Sequence, residues 1–214
     1  NKSKKLFTAG PARLLEQNIT GLMPCFGRGD DEYIDLENRV LSQLARLSGH
    51  KTVARMQGSG SLALEIIARN FLSGRVLIVS SGTYSDRLEL LSKQSAAQDK
   101  NISKVDNVNW TQISDFKGNY DWIFACYTET SLGIKVPVEE LSLLAKRCGA
   151  RLALDATASI GLEEHHDLAD VIGYSSCKGL FGLTGACFVA FNDMPKNEVN
   201  SFYLDINSHL EKKM

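Results

Sequence analysis

Short runs of almost unbroken apolar residues limit this chain to very few architectures: Arg75-Val-Leu-Ile-Val-Ser80, Asp121-Trp-Ile-Phe-Ala-Cys-Tyr127, Leu152–Leu154, Val171–Tyr174 and Cys187–Phe191. Runs this short and this uniformly apolar suit strands covered on both faces, not strands with one wet side. Between them the pattern changes to a helical period. Asp35–Ser48 repeats Leu36, Val40, Leu41, Leu44 and Leu47 and closes on Gly49, a residue suited to a helix C-terminus. Ser61–Leu72, Ser85–Gln94 and Val138–Cys148 read as further helices, the last with Pro137 at its start, where a missing N–H costs nothing. With Thr52–Gln57 as another strand, the alternation predicts an α/β fold of three layers, αβα, around a mostly parallel central sheet. Residues 97–120 are polar and irregular and read as an edge strand with surface loop.

The length, 214 residues, and the absence of a linker-like break favour a single domain spanning 1–214. A chain of this size buries on the order of 70% of its unfolded surface. A net charge of −1 gives no reason to expect a nucleic acid or a membrane surface as partner. No apolar run approaches the ~18–20 residues of a spanning helix, and Asn1–Lys5 lacks an apolar signal core. The five cysteines are odd in number, scattered and free of C-x-x-C spacing, so they read as reduced, buried thiols of a cytoplasmic protein. Glu163-Glu-His-His-Asp167 superficially suggests a metal cluster. Adjacent histidines seldom face one ion, and the segment reads as a solvated turn.

Three further segments carry chemistry. Gly173-Tyr-Ser-Ser-Cys-Lys178-Gly-Leu-Phe-Gly-Leu-Thr-Gly185 leaves one apolar strand, passes a single lysine among small residues and enters another strand. Glycines at 179, 182 and 185 allow tight folding around that lysine. A buried lysine has a lowered pKa and supplies the neutral amine that Schiff-base chemistry needs, whereas a lysine at a strand end is commonly just solvated. Arg151-Leu-Ala-Leu-Asp155 is an apolar run ending in an acid, and strand carboxyl ends are where parallel sheets collect functional groups. Met56-Gln-Gly58-Ser59-Gly60-Ser61 leads from a strand into a helix, a turn whose free N–H groups suit a phosphate and which elsewhere is an ordinary cap. An amine, an acid and a phosphate loop together suit pyridoxal 5′-phosphate, with Lys178 holding the aldehyde and Asp155 keeping the pyridine nitrogen protonated.

From about Leu6 to Ile206 the chain resembles the large domain of the class V, fold-type I aminotransferases, in the branch with 2-aminoethylphosphonate–pyruvate and alanine–glyoxylate transaminases. Leu6-Phe-Thr-Ala-Gly-Pro11 is similar to the family's N-terminal element, and Phe26-Gly-Arg28-Gly-Asp-Asp-Glu-Tyr33 to its substrate-entrance segment. Gly58–Ser61 is similar to the phosphate loop, Ser81–Arg87 to the loop whose aromatic stacks on the cofactor, and Tyr127–Ile134 to a further cofactor loop. The resemblance implies Lys178 as the Schiff-base lysine and proton carrier, and Asp155 as partner of the ring nitrogen. It implies phosphate contacts from Ser59, Gly60 and Ser61, stacking by Tyr84, and cofactor contacts from Thr130 and Cys177. Arg28 is the substrate-side cation, and residues 1–34 wrap the site. The implied reaction moves an amino group from a small amine or amino acid to a 2-oxo acid such as pyruvate or glyoxylate, in a homodimer.

Several features depart from the family pattern. Cys177 stands where relatives often carry Gln or Asn, and a thiol is a poorer hydrogen-bonding group. The interval from Asp155 to Lys178 is shorter than usual. The small C-terminal domain, which supplies a substrate-gripping arginine in the family, is expected to be missing. A related lyase or desulfurase using the same cradle stays open, as does a non-catalytic domain that keeps the fold. A Rossmann-like nucleotide binder is disfavoured, because no G-x-G-x-x-G opens a helix.

Overall fold

The computed structural model describes residues 10–11, 14–22, 25–27 and 29–211. In chain order the elements are α1 (Glu16–Thr20), α2 (Asp31–Ser48), β1 (Thr52–Gln57), α3 (Gly60–Asn70), β2 (Gly74–Ser80), α4 (Thr83–Asp99), β3 (Ile102–Asn109), β4 (Trp122–Cys126), β5 (Thr128–Glu129), β6 (Ile134–Lys135), α5 (Val138–Cys148), β7 (Arg151–Asp155), β8 (Val171–Ser175), β9 (Ala186–Phe191) and α6 (Ile206–Leu210). Seven strands form one sheet in the order β1-β9-β8-β7-β4-β2-β3, and β5 and β6 pair separately. β8, β7, β4, β2 and β3 run parallel, while β9 lies antiparallel to both of its neighbours. The carboxyl ends of β1, β2, β4, β7 and β8 therefore share one edge of the sheet.

Strand alternation divides the apolar side chains between two cores. Leu77, Val79, Ile123, Leu152, Leu154 and Ile172 pack with Leu44 of α2 and Leu141 and Leu144 of α5. Val76, Ile78, Phe124, Ala153 and Val189 pack with Leu64 and Ile67 of α3, Leu88 of α4 and Ile206 of α6. This is the three-layer αβα arrangement with a mostly parallel sheet. Both faces are covered, so the central strands have no wet side to mark with polar residues.

Helix α2 differs from expectation in two respects. It begins at Asp31, with Asp30 in extended conformation as N-cap, and ends as foreseen at Gly49, which takes the left-handed conformation. Of its apolar face only Leu44 is buried, while Leu36, Val40 and Leu47 remain exposed together with Ile34. The polar stretch after α4 forms β3 at the sheet edge, as the sequence suggests, but α4 itself reaches Asp99. A bidentate pair holds that extension, Arg69 Nε and Nη2 donating to the Asp99 carboxylate at 2.7 and 2.5 Å. The 163–167 segment is not uniformly solvated. His165 is exposed, but His166 is buried, its Nε2 2.9 Å from Ser159 Oγ and its ring edge-on to Tyr127. The thiols of Cys126, Cys148 and Cys187 are buried, Cys177 is half-buried and Cys25 is exposed, which corrects a uniformly buried reading. Among the described residues no helix is long and apolar enough to cross a membrane.

Candidate active site

The loops leaving the shared carboxyl edge bring most of the sequence-predicted residues together. β7 ends on Asp155, 5% exposed, where the inward-facing apolar run gives way to small residues. The Thr157 N–H donates to Asp155 Oδ1 at 2.9 Å, and Oδ2 meets the Cys126 thiol at 3.9 Å. Burial pushes the Asp155 carboxyl up. The Thr157 contacts, then the charges of Lys178 and Arg87, oppose that shift. A buried carboxylate with so little local compensation is suited to a cationic N–H partner.

Lys178 lies in the loop joining the hydrogen-bonded strands β8 and β9. Its Nζ stands 5.0 Å from the centroid of the Tyr84 ring. The loop is folded tightly: Gly182 N donates to Ser176 O at 2.7 Å, and a Cβ on Gly179 would collide with the Ile160 carbonyl. The N-terminal segment reaches the same place. A Cβ on Gly10, whose φ is +155°, would fall 2.5 Å from Lys178 Cγ, so only glycine passes this close to the lysine stem. Asn18 Nδ2 donates to Phe181 O in the same loop. Cys177 Sγ lies 3.7 Å from Ser175 Oγ.

The turn between β1 and α3 contributes the third group. Gly58 N donates to Gly185 O at 2.9 Å, tying this turn to the far end of the lysine loop. Ser59 is the N-cap of α3 in extended conformation, and its side chain makes no capping bond. The amides of Gly60 and Ser61 open the helix, ahead of any carbonyl one turn back that could accept from them. Thr157 Oγ1 is buried without a well-formed hydrogen bond, and a Cβ on Gly60 would sit 2.9 Å from it. An anion at this helix start would meet aligned N–H groups with the Thr157 hydroxyl beside them.

Tyr84, in the first turn of α4, is held by a buried acid at the end of β5. Glu129 is fully buried, and its carboxylate accepts from the N–H groups of Tyr84 and Ser85 at 3.1 Å each and from Ser131 Oγ. Thr130, half-buried, follows it in the turn between β5 and β6. Arg87, one turn beyond Tyr84, donates to Ser61 Oγ at 3.1 Å. Arg28 lies outside the described residues, and Lys178, Asp155, Tyr84 and the 58–61 turn converge without it.

No family model matches the chain. Curated relatives do. The 2-aminoethylphosphonate–pyruvate transaminase of Klebsiella pneumoniae is 31% identical over 174 residues, 75% of this chain and 47% of its own length. Its namesake in Pseudomonas aeruginosa is 26% identical over 197 residues, 86% of this chain and 53% of its own length. The chain is thus similar in sequence to aminotransferases of this kind. It spans about half the length of these curated relatives. Solved aminotransferases share the fold. A subgroup IV aspartate aminotransferase from Thermus thermophilus superposes with a TM-score of 0.84 at 20% identity, covering 96% of this chain and 62% of that one. An alanine–glyoxylate aminotransferase from Nostoc sp. gives 0.81 at 19% identity, covering 97% and 60%.

Proposed function

We propose that this aminotransferase-family chain binds pyridoxal 5′-phosphate and transfers an amino group from a small amine or amino acid to a 2-oxo acid of the pyruvate or glyoxylate type. The observation that carries the reading is the buried, under-compensated Asp155 carboxylate within the field of Lys178, at one edge of a sheet whose α3 helix start offers unpartnered N–H groups. The name of the curated relatives, 2-aminoethylphosphonate–pyruvate transaminase, supports 2-aminoethylphosphonate as donor and pyruvate as acceptor, with alanine and serine as further candidate donors.

The residues present fit the group. Ser59, Gly60 and Ser61 hold its phosphate, with Thr157 Oγ1 a further hydroxyl beside them. Asp155 would pair with the ring nitrogen, Tyr84 would stack on the ring, and Thr130 and Cys177 would line it. Once bound, the cofactor supplies a carbonyl carbon for amine exchange and a ring that draws electrons from the substrate Cα. Lys178 is the attachment amine. Freed from that attachment, the Lys178 Nζ would hold and return a proton at the substrate Cα. Asp155 keeps a negative charge fixed in a dry site, where it is felt strongly because water does not screen it. Gly10 over the lysine stem and Asn18 on Phe181 O bring the N-terminal segment to the lysine loop, in keeping with a segment that wraps the site within one cofactor-binding domain.

Arg28 is the entrance cation in this reading. The exposed apolar side chains of Leu15, Ile19, Leu22 and Phe26, with those of α2, form the surface across which two copies associate. The test is borohydride reduction in the presence of pyridoxal 5′-phosphate, followed by peptide mass analysis. The adduct is expected on the Lys178 peptide. An adduct on another lysine, or none on demonstrably folded protein, overturns the proposal. A transamination assay with 2-aminoethylphosphonate, alanine and serine then ranks the donors, and sedimentation reports the dimer.

A further inference from the structure

The first turns of α4 turn a guanidinium toward the phosphate loop. Arg87 follows Tyr84 by three residues, so the two side chains share a helix face. Its Nη1 donates to Ser61 Oγ at 3.1 Å and its guanidinium carbon stands 5.2 Å from the Tyr84 ring centroid. Its charge reaches the buried Asp155 carboxyl. Among the described residues it enters no ion pair with a carboxylate. An exposed guanidinium that contacts a hydroxyl and an aromatic ring, with no carboxylate in contact, is suited to an anion.

We propose that Arg87 is the cationic ligand of the cofactor's phosphate, clamping it from the α4 side against the start of α3. The proposal rests on the pyridoxal 5′-phosphate reading above. The remaining donors of that cradle, the N–H groups of Gly60 and Ser61 and the hydroxyls of Ser59, Ser61 and Thr157, are all neutral, whereas a phosphate monoester carries up to two negative charges. Lys178 cannot neutralise it, because its amine is committed to the carbonyl carbon. Arg87 spends one of its five N–H donors on Ser61 and keeps the rest of its fork for phosphate oxygens. Because Ser61 Oγ accepts from Arg87, its own O–H remains available to donate to the same anion. The Tyr84 ring beneath the guanidinium favours this position before the ligand arrives, which lowers the cost of ordering it. The same contact links phosphate occupancy to the pose of the ring that covers the cofactor.

The test compares pyridoxal 5′-phosphate with pyridoxal, which has the aldehyde and ring but lacks the phosphate. Wild type, Arg87→Lys and Arg87→Gln are titrated with each, read by the near-ultraviolet absorption of the bound aldehyde and independently by calorimetry. Arg87→Gln is expected to lower affinity for pyridoxal 5′-phosphate by about 10- to 100-fold, the loss of a charge-assisted bond. Pyridoxal affinity should stay within about twofold. Arg87→Lys, which keeps the charge without the fork, should fall between the two. An equal loss for both ligands would show that Arg87 acts only through Tyr84, and no loss for either would show no role; each overturns the proposal. Should Arg87→Gln fail to fold by circular dichroism, the ratio of the two affinities in Arg87→Lys decides, and an unchanged ratio overturns it. A wild type that binds neither ligand overturns the cofactor reading itself, and the Arg87 assignment with it.

Discussion

Glu129 offers a quantitative test of how the site is supported, because its carboxylate is fully buried and its partners are known. Glu129→Ala removes the acceptor for the N–H groups of Tyr84 and Ser85 and for Ser131 Oγ. Ser85 is itself fully buried, so its N–H loses its acceptor where water does not reach, at about 2–3 kcal/mol. Tyr84 is half-buried, and water recovers part of its loss, leaving about 1 kcal/mol. The negative charge beside the first turn of α4 contributes about 0.5–1 kcal/mol through the helix dipole. Release from the desolvation cost of the carboxylate offsets part of this. The net expectation is a loss of about 3 kcal/mol, or about 6–12 °C in Tm for a chain of this size. Glu129→Gln keeps one acceptor oxygen but turns an NH2 toward other donors, and should lose about half as much. Urea unfolding measures the loss from the shift in midpoint at constant slope, and hydrogen exchange at residues 83–86 shows whether it is local. A loss below about 1 kcal/mol for Glu129→Ala, with an unchanged slope, would refute the argument that this carboxylate holds the Tyr84 turn.

Two further predictions concern parts of the fold away from the pocket. Breaking the buried Arg69–Asp99 pair by Arg69→Ala should destabilise the protein by about 3–5 kcal/mol in chemical denaturation, while replacing both partners by apolar residues should recover most of that. His166 is pushed down to about 4 by burial and then by its neighbour His50, itself lowered by burial. Both depressed histidines contribute stability that is fully present above pH 6.5 and is lost as pH falls toward 4, because the unfolded chain takes up the proton first. Unfolding measured between pH 7 and 4 should show that decline, and His166→Gln should flatten it; a flat wild-type profile would contradict the assignment.

The sequence carried the sheet well, for a physical reason. Strands buried on both faces have no polar alternation to confuse them, so β1 and α5 fall on their expected limits and the other core strands within a residue or two. Asp155 stood out because it ends an apolar run, and Lys178 because it follows one inside a glycine-punctuated loop. What stayed hidden was held by remote partners. The start of α4 depends on an acid some 45 residues away, Glu129, and no local spacing announces it. The far end of α4 is fixed by Ser95 Oγ on Ala68 O and by Arg69 on Asp99, both contacts from another helix. His166 looked solvated because its charged neighbours are, while Ser159 and Tyr127, which bury it, come from other turns. The half-empty apolar face of α2 has a helical period whether or not a neighbour covers it, and periodicity alone does not tell the two cases apart.

β1 hydrogen-bonds to β9 within the sheet, with Thr52 opposite Phe191, so the earliest strand of the core waits for the last. Pairing across that separation must be reached against the entropy of closing nearly the whole core of the chain into one loop, whereas β8 and β9 close over a short loop. The parallel strands and the lysine loop can therefore assemble while residues 52–61 are still unattached. On a ribosome the 58–61 turn cannot be tied to the lysine loop until Gly185 and the β9 residues after it have emerged. A chain interrupted between the two events would hold Lys178 and Asp155 with the 58–61 turn not yet beside them.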